Sequence, residues 1–170
     1  DLSKEMLSRT RRKLRAKYPA QWVHGDFLAY RPDGLFDCII SSSTLHWIVP
    51  VERAVGQCGR LLSPRGHLIF GMMIAGTLAE LHSARRRIAP RTPVKDPMPG
   101  QKEVEEALGS HCFAIKAQRV ATYREEYASA QTFLQTLHDR GVTGGSLSHG
   151  DRLLNRREIK DLTQWYDMHN

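Results

Sequence analysis

Cysteine is scarce in this chain of 170 residues: Cys38, Cys58 and Cys112 are an odd number with no C-x-x-C pair. That scarcity argues against a disulfide framework or a zinc ribbon and fits a reducing, cytoplasmic setting. Long apolar runs are missing too. Nothing approaches the roughly 18–20 consecutive apolar residues a membrane span needs, and Asp1-Leu2-Ser3-Lys4-Glu5 does not read as a signal peptide. No G-x-S-x-G elbow, G-x-x-x-x-G-K phosphate loop or H-E-x-x-H pair occurs, so the sequence points to no serine nucleophile, P-loop or zincin chemistry. Eight histidines are scattered without ligand spacing, and no metal is expected. With 41% hydrophobic and 25% charged residues, collagen, low-complexity and disordered chains are excluded. The length suits one domain.

Acidic residues are outnumbered 25 to 18, leaving a net charge of +7. The first helical segment concentrates Lys4, Arg9, Arg11, Arg12, Lys13, Arg15 and Lys17 against one acid, Glu5. Arg85, Arg86, Arg87 and Arg91 form a second cluster. A basic surface attracts polyanions. Aromatics are not interleaved with these bases and no recognition helix or RNA-binding signature is present, so neither nucleic acid nor membrane is the expected partner. An acidic protein is, with plain solvated helix faces as the alternative.

Helical and strand patterns alternate, the signature of an α/β sandwich with a mostly parallel sheet. Ser3 to Tyr18 reads as a helix stopped by Pro19. Gln21–His24 is a short strand running into Gly25-Asp26-Phe27. Phe36–Ile40 is a nearly uninterrupted apolar run, expected as a strand buried on both faces. Pro50–Leu62 reads as a helix closed by the turn Ser63-Pro64-Arg65-Gly66, and His67–Met72 as the next strand. Thr77–Ile88 is a helix, 89–100 a proline-rich loop, Lys102–Leu108 a short helix and Phe113–Tyr123 a longer strand. Ala128–Arg140 and Arg156–Tyr166 close the chain as helices joined through Gly141–Gly145.

In parallel α/β sheets, ligands bind where strands end. Asp1, Asp26 and Ser41-Ser42-Ser43 occupy such ends, and a carboxylate there accepts hydrogen bonds from ribose hydroxyls or an adenine amino group. The plainer alternative makes Asp26 a turn residue and Asp1 a helix cap. From the residues alone, the reading reaches an α/β domain with a candidate nucleoside site.

The order of four segments goes further: Asp1–Leu7, Gly25-Asp26-Phe27, Phe36–Ser41 and Leu61-Leu62-Ser63-Pro64-Arg65-Gly66. In this order and spacing they resemble class I S-adenosylmethionine-dependent methyltransferases, with a Rossmann-like sandwich. The resemblance implies cofactor contacts from Asp1, Leu2, Asp26, Phe27, Ser42 and Ser43. Asp1 would take the ribose hydroxyls and Asp26 the adenine amino group, while Phe27 would flank the adenine and Ser42 would line the methionine arm. It implies no catalytic side chain. Ser41–Trp47, Gly76–Leu81, Phe133–Thr143 and Leu154–Glu158 with Trp165-Tyr166 look like the malonyl-acyl-carrier-protein O-methyltransferases of biotin synthesis. His46 stands where that family usually has glutamine, and Ser42 where it has asparagine.

This resemblance implies one partial methyltransferase domain over 1–170, with 75–111 and 127–170 on the methyl-acceptor side. It implies an acidic acyl carrier protein bearing a malonyl group, docked at Arg85, Arg86, Arg87 and Arg91. In the family a glycine-rich G-x-G-x-G loop between two strands precedes the segment matching Asp1, and a final strand follows Tyr166. A longer parent polypeptide is therefore expected, and residues 1–170 alone are expected to aggregate and not to bind the cofactor. The alternatives are another small-molecule or protein methyltransferase, and a degenerate methyltransferase-like binding domain.

Overall fold

The computed structural model describes residues 1–14, 19–90, 98–140 and 154–169. Arg15, Lys17, Tyr18, Arg91 and Gly141–Gly145, singled out above, lie outside the described residues.

At its centre is a strand–helix–strand unit. β1 (Phe36–Ser42) and β2 (Leu62–Gly71) pair in parallel, joined through α2 (Val51–Leu61). Parallel neighbours need a crossover of this kind, because no tight turn returns a chain to the same direction. Cys38 to Ser42 run in register with His67 to Gly71, whereas Phe36 lies opposite Leu62. Ser63–Gly66 is thus an irregularity inside β2 and not, as the sequence suggests, a turn preceding it. Arg65 sits at φ 69° and Gly66 approaches β1 closely: a Cβ there would lie 2.9 Å from the Ser63 oxygen and 3.1 Å from that of Phe36. Glycine is required by that approach.

α2 forms because apolar Val51, Ala54, Val55, Cys58 and Leu61 recur at helical spacing. It is covered on two sides. One side packs on the inward-facing Ile39, Leu68 and Phe70 of the sheet, with Leu45, Ala54 and Cys58 between them. The other meets α4 (Gln101–Ser110) through Val51, Val55, Val104, Ala107 and Leu108. Burial pushes the Cys58 thiol up to about 11, which leaves it an inert core residue. α1 (Lys4–Leu14) has no buried residue, and α3 (Ala79–Ile88) and α5 (Ala130–Asp139) both pack on α6 (Arg156–His169).

Three expectations are corrected. Phe36–Ile40 is a strand, but only one of its faces is covered among the described residues. Ile40 is 75% exposed and its register partner Ile69 57%. Phe113–Tyr123 carries no strand: strands exist only through ladder partners, and none of the described residues supplies one. Gln21–His24 is likewise too sparsely bonded to count as a strand. What results is a parallel two-stranded core with helices, an incomplete Rossmann-like arrangement.

Candidate nucleoside site

Asp1 and His24 face each other in a parallel bridge. The Asp1 nitrogen donates to the Val23 oxygen at 2.9 Å, and the Gly25 N–H donates to the Asp1 oxygen at 3.0 Å. His24 adds a bond from Nε2 to the Leu2 oxygen at 3.1 Å. These bonds bring the start of α1 and the Gly25-Asp26 turn side by side, although they are more than twenty residues apart in sequence.

Each of the two carboxylates uses one oxygen locally. Asp1 Oδ1 accepts from the Ser3 N–H at 2.8 Å, and Ser3 Oγ accepts from the Met6 N–H at 3.2 Å, so both side chains cap the start of α1. Asp26 Oδ1 accepts from the Leu28 N–H at 2.9 Å and caps the 3-10 turn Phe27–Ala29. The sequence weighed a helix cap for Asp1 and a turn residue for Asp26; each side chain bonds its own local backbone. Among the described residues, the second oxygen of each carboxylate makes no hydrogen bond.

Asp1, Asp26 and Phe27 line one cavity of about 560 Å³, together with Trp22, Tyr30 and Phe36. That volume lies within the usual ~300–1,000 Å³ of small-molecule sites. Tyr30 and Phe36 stack with ring centroids 6.4 Å apart and planes inclined by 24°. Sequence reading missed both rings. The signal was available for Tyr30, which falls three residues after Phe27 and so on the same side of a 3-10 turn, where i and i+3 eclipse. Two carboxylates that accept from hydroxyl and amino groups, beside four aromatic rings, suit a nucleoside.

The remaining expected residues are not in this cavity. Leu2 is 73% exposed, and its oxygen meets His24 Nε2 at 3.1 Å. Ser42 and Ser43 lie at the C-terminal end of β1, where Ser42 pairs with Gly71 and the Ser43 N–H donates to the Gly71 oxygen at 2.8 Å. Ser43 has φ 52°, and its oxygen accepts from Trp47 Nε1 at 3.2 Å. Of the arginine cluster, Arg86 and Arg87 are exposed on α3 and Arg85 is half-buried. The Arg87 guanidinium lies 6.0 Å from the Trp165 ring centroid, tying α3 to α6. Among the described residues, no group of three or more histidines, cysteines, aspartates or glutamates could hold a metal. No described helix is long and apolar enough to cross a membrane.

His46 is 3% exposed, and its Nδ1 is buried without a hydrogen-bond partner among the described residues. Burial depresses its pKa below the ordinary 6.5. The folded state then binds fewer protons than the unfolded one, so stability is lost as pH falls below about 6.5. His46→Gln should flatten that acid limb in denaturant titrations between pH 7 and 5. An unchanged limb would show that His46 does not contribute to it.

Residues 1–70 match the family model of a methyltransferase domain. Over those residues the parallel strand–helix–strand core fits the incomplete Rossmann-like fold of a methyltransferase domain. Among curated proteins, the chain is 28% identical over 134 residues to a malonyl-[acyl-carrier protein] O-methyltransferase of Methylococcus capsulatus, covering 79% of this chain and 48% of that protein. A protein of the same name from Enterobacter lignolyticus is 27% identical over 164 residues, covering 95% of this chain and 62% of that protein. Nodulation protein S of Rhizobium tropici is 35% identical over 74 residues, 42% of this chain and 31% of that protein. The chain thus spans between about a third and two thirds of the length of these relatives.

Proposed function

We propose that the protein carrying these residues transfers a methyl group from S-adenosylmethionine to the free carboxylate of a malonyl thioester on an acidic acyl carrier protein. The observation that carries the reading is the meeting of Asp1, Asp26 and Phe27 in one cavity with Tyr30 and Phe36. The names of relatives that match 79% and 95% of the chain support the choice of acceptor. When bound, S-adenosylmethionine supplies an activated methyl group on a sulfonium centre.

The free oxygens of Asp1 and Asp26 would hold the ribose hydroxyls and the adenine amino group, and Phe27 would flank the base. Ser42 and Ser43 would face the methionine portion from the strand end, with Leu2 beside the ribose. A carboxylate acceptor is already ionised at neutral pH, so no residue of this chain has to remove a proton. Its work is to align the reactants and exclude water. Segments 75–111 and 127–170 would form the acceptor side of the domain.

Arg85, Arg86, Arg87 and Arg91 would steer the acidic carrier. Exposed charges are screened beyond about 8–10 Å at physiological ionic strength, so carrier association should slow as salt rises. The test is methyl transfer to a malonylated carrier by the full-length protein. Activity with a neutral methyl-ester product supports the reading, and transfer only to other acceptors overturns the choice of substrate. In the same assay, Arg86→Glu with Arg87→Glu should raise KM for the carrier several-fold at low salt while leaving cofactor affinity unchanged. An unchanged KM would make the cluster a solvated helix face.

A further inference from the structure

A second cavity, of about 310 Å³, lies on the other side of the Phe27–Ala29 turn and is lined by Leu28, Glu52, Arg53, Gly56, Arg60 and His111. None of these residues belongs to the nucleoside site. Arg53, Gly56 and Arg60 stand at i, i+3 and i+7 on α2, a spacing that puts all three on one stripe of the helix. Gly56 lets the imidazole of His111 lie directly on that stripe: a Cβ at position 56 would be 2.8 Å from His111 Cε1 and Nε2. The ring therefore meets α2 at Gly56, the position between Arg53 and Arg60 on that stripe.

The guanidinium of Arg60 is held in place from beneath. Gln57, fully buried, accepts from Arg60 Nε at 3.2 Å and Nη2 at 3.0 Å through Oε1, and from Arg31 Nη1 at 3.4 Å. Its Nε2 donates to the Tyr30 oxygen at 2.9 Å, which anchors the whole group to the 3-10 turn. Neither Arg53 nor Arg60 is paired with a carboxylate among the described residues, and Glu52 is the single acid at the cavity. Two arginines with no carboxylate partner among the described residues and one imidazole thus line a small concave site, and one guanidinium is held by a buried amide.

We propose that this cavity binds a phosphoryl group of a small ligand through Arg53, Arg60 and His111. The planar guanidinium fork matches phosphate oxygens, and the several acceptor oxygens of a phosphoryl group suit donors arriving from three side chains. The cavity's size is at the low end for ligand sites, which fits a phosphate or diphosphate headgroup and not an extended peptide.

The test is titration of the full-length protein with inorganic pyrophosphate at constant ionic strength, read by calorimetry and by the His111 ring resonances. Saturable binding that shifts those resonances is expected. Arg53→Ala should weaken it at least tenfold while leaving S-adenosylhomocysteine affinity intact. His111→Gln serves as a second variant that leaves both arginines and the Gln57 contacts in place, and a several-fold weakening is expected. The proposal is overturned if chloride at matched ionic strength reproduces the effect, if both variants bind pyrophosphate as the parent does, or if only an acidic polymer such as polyglutamate binds.

Discussion

Replacing Asp26 by alanine is expected to weaken binding of S-adenosylhomocysteine by roughly 1–3 kcal/mol, the loss of one hydrogen bond to a charged acceptor, or about five- to 150-fold in Kd. Two effects act in the same direction. The ligand loses the free oxygen of the carboxylate, and the Leu28 N–H loses the cap that shapes the turn carrying Phe27 and Tyr30. Asp26→Asn separates them, because its side-chain oxygen still accepts from Leu28 while the charge is gone. Affinity between those of the parent and Asp26→Ala is expected for it in calorimetry. A Kd unchanged in Asp26→Ala would remove this residue from the site.

The largest effect on stability is expected at α2. Val55 is 1% exposed, wedged against Val104, Ala107 and Leu108 on one side and the sheet residues Leu68 and Phe70 on the other. Val55→Asp would bury a carboxylate with no partner in that cluster, at a cost of about 3–5 kcal/mol for an uncompensated buried charge. Typical domains are stable by only about 5–15 kcal/mol in total, so most of the folded population is at risk. Thermal unfolding followed by circular dichroism should show a lost or strongly lowered transition. Val120→Asp, at a position 53% exposed, should stay within about 0.5 kcal/mol of the parent. Similar melts for the two variants would mean that the α2 core is not where the chain is held together.

What could be read from the sequence follows the range of the interactions involved. α2 was legible because its apolar stripe and its boundaries at Pro50 and Leu62 are local, and the observed Val51–Leu61 differs by one residue at each end. β1 was legible for the same reason. The coverage of its outer face was not, since that depends on elements packed from elsewhere and Ile40 remains open. Phe113–Tyr123 has a strand-like composition, yet composition cannot supply a ladder partner. The irregularity at Ser63–Gly66 reads as a turn from Pro64 and Gly66; only the pairing of Phe36 with Leu62 shows that the strand continues through it.

The candidate site divides along the same line. Asp1, Asp26 and Phe27 could be singled out from position and resemblance, whereas their meeting depends on the bridge between Asp1 and the Val23–Gly25 backbone, a contact of long sequence separation. Tyr30 and Phe36 join them only through the fold of the intervening turn. Ser42 and Ser43 sit at the strand end, where the sequence placed them, and outside the cavity. Gln57, which no motif marks, links that turn to α2 and to both Arg31 and Arg60.

The central claim is that Asp1, Asp26 and the neighbouring rings form a nucleoside site. Its most direct test is the backbone amide spectrum of the isotope-labelled full-length protein titrated with S-adenosylhomocysteine. The account predicts saturable shifts concentrated at Leu2, Ser3, Gly25, Asp26, Phe27 and Leu28, with α5 and α6 unmoved. Saturable binding that leaves Gly25–Leu28 unshifted and perturbs other elements would contradict it.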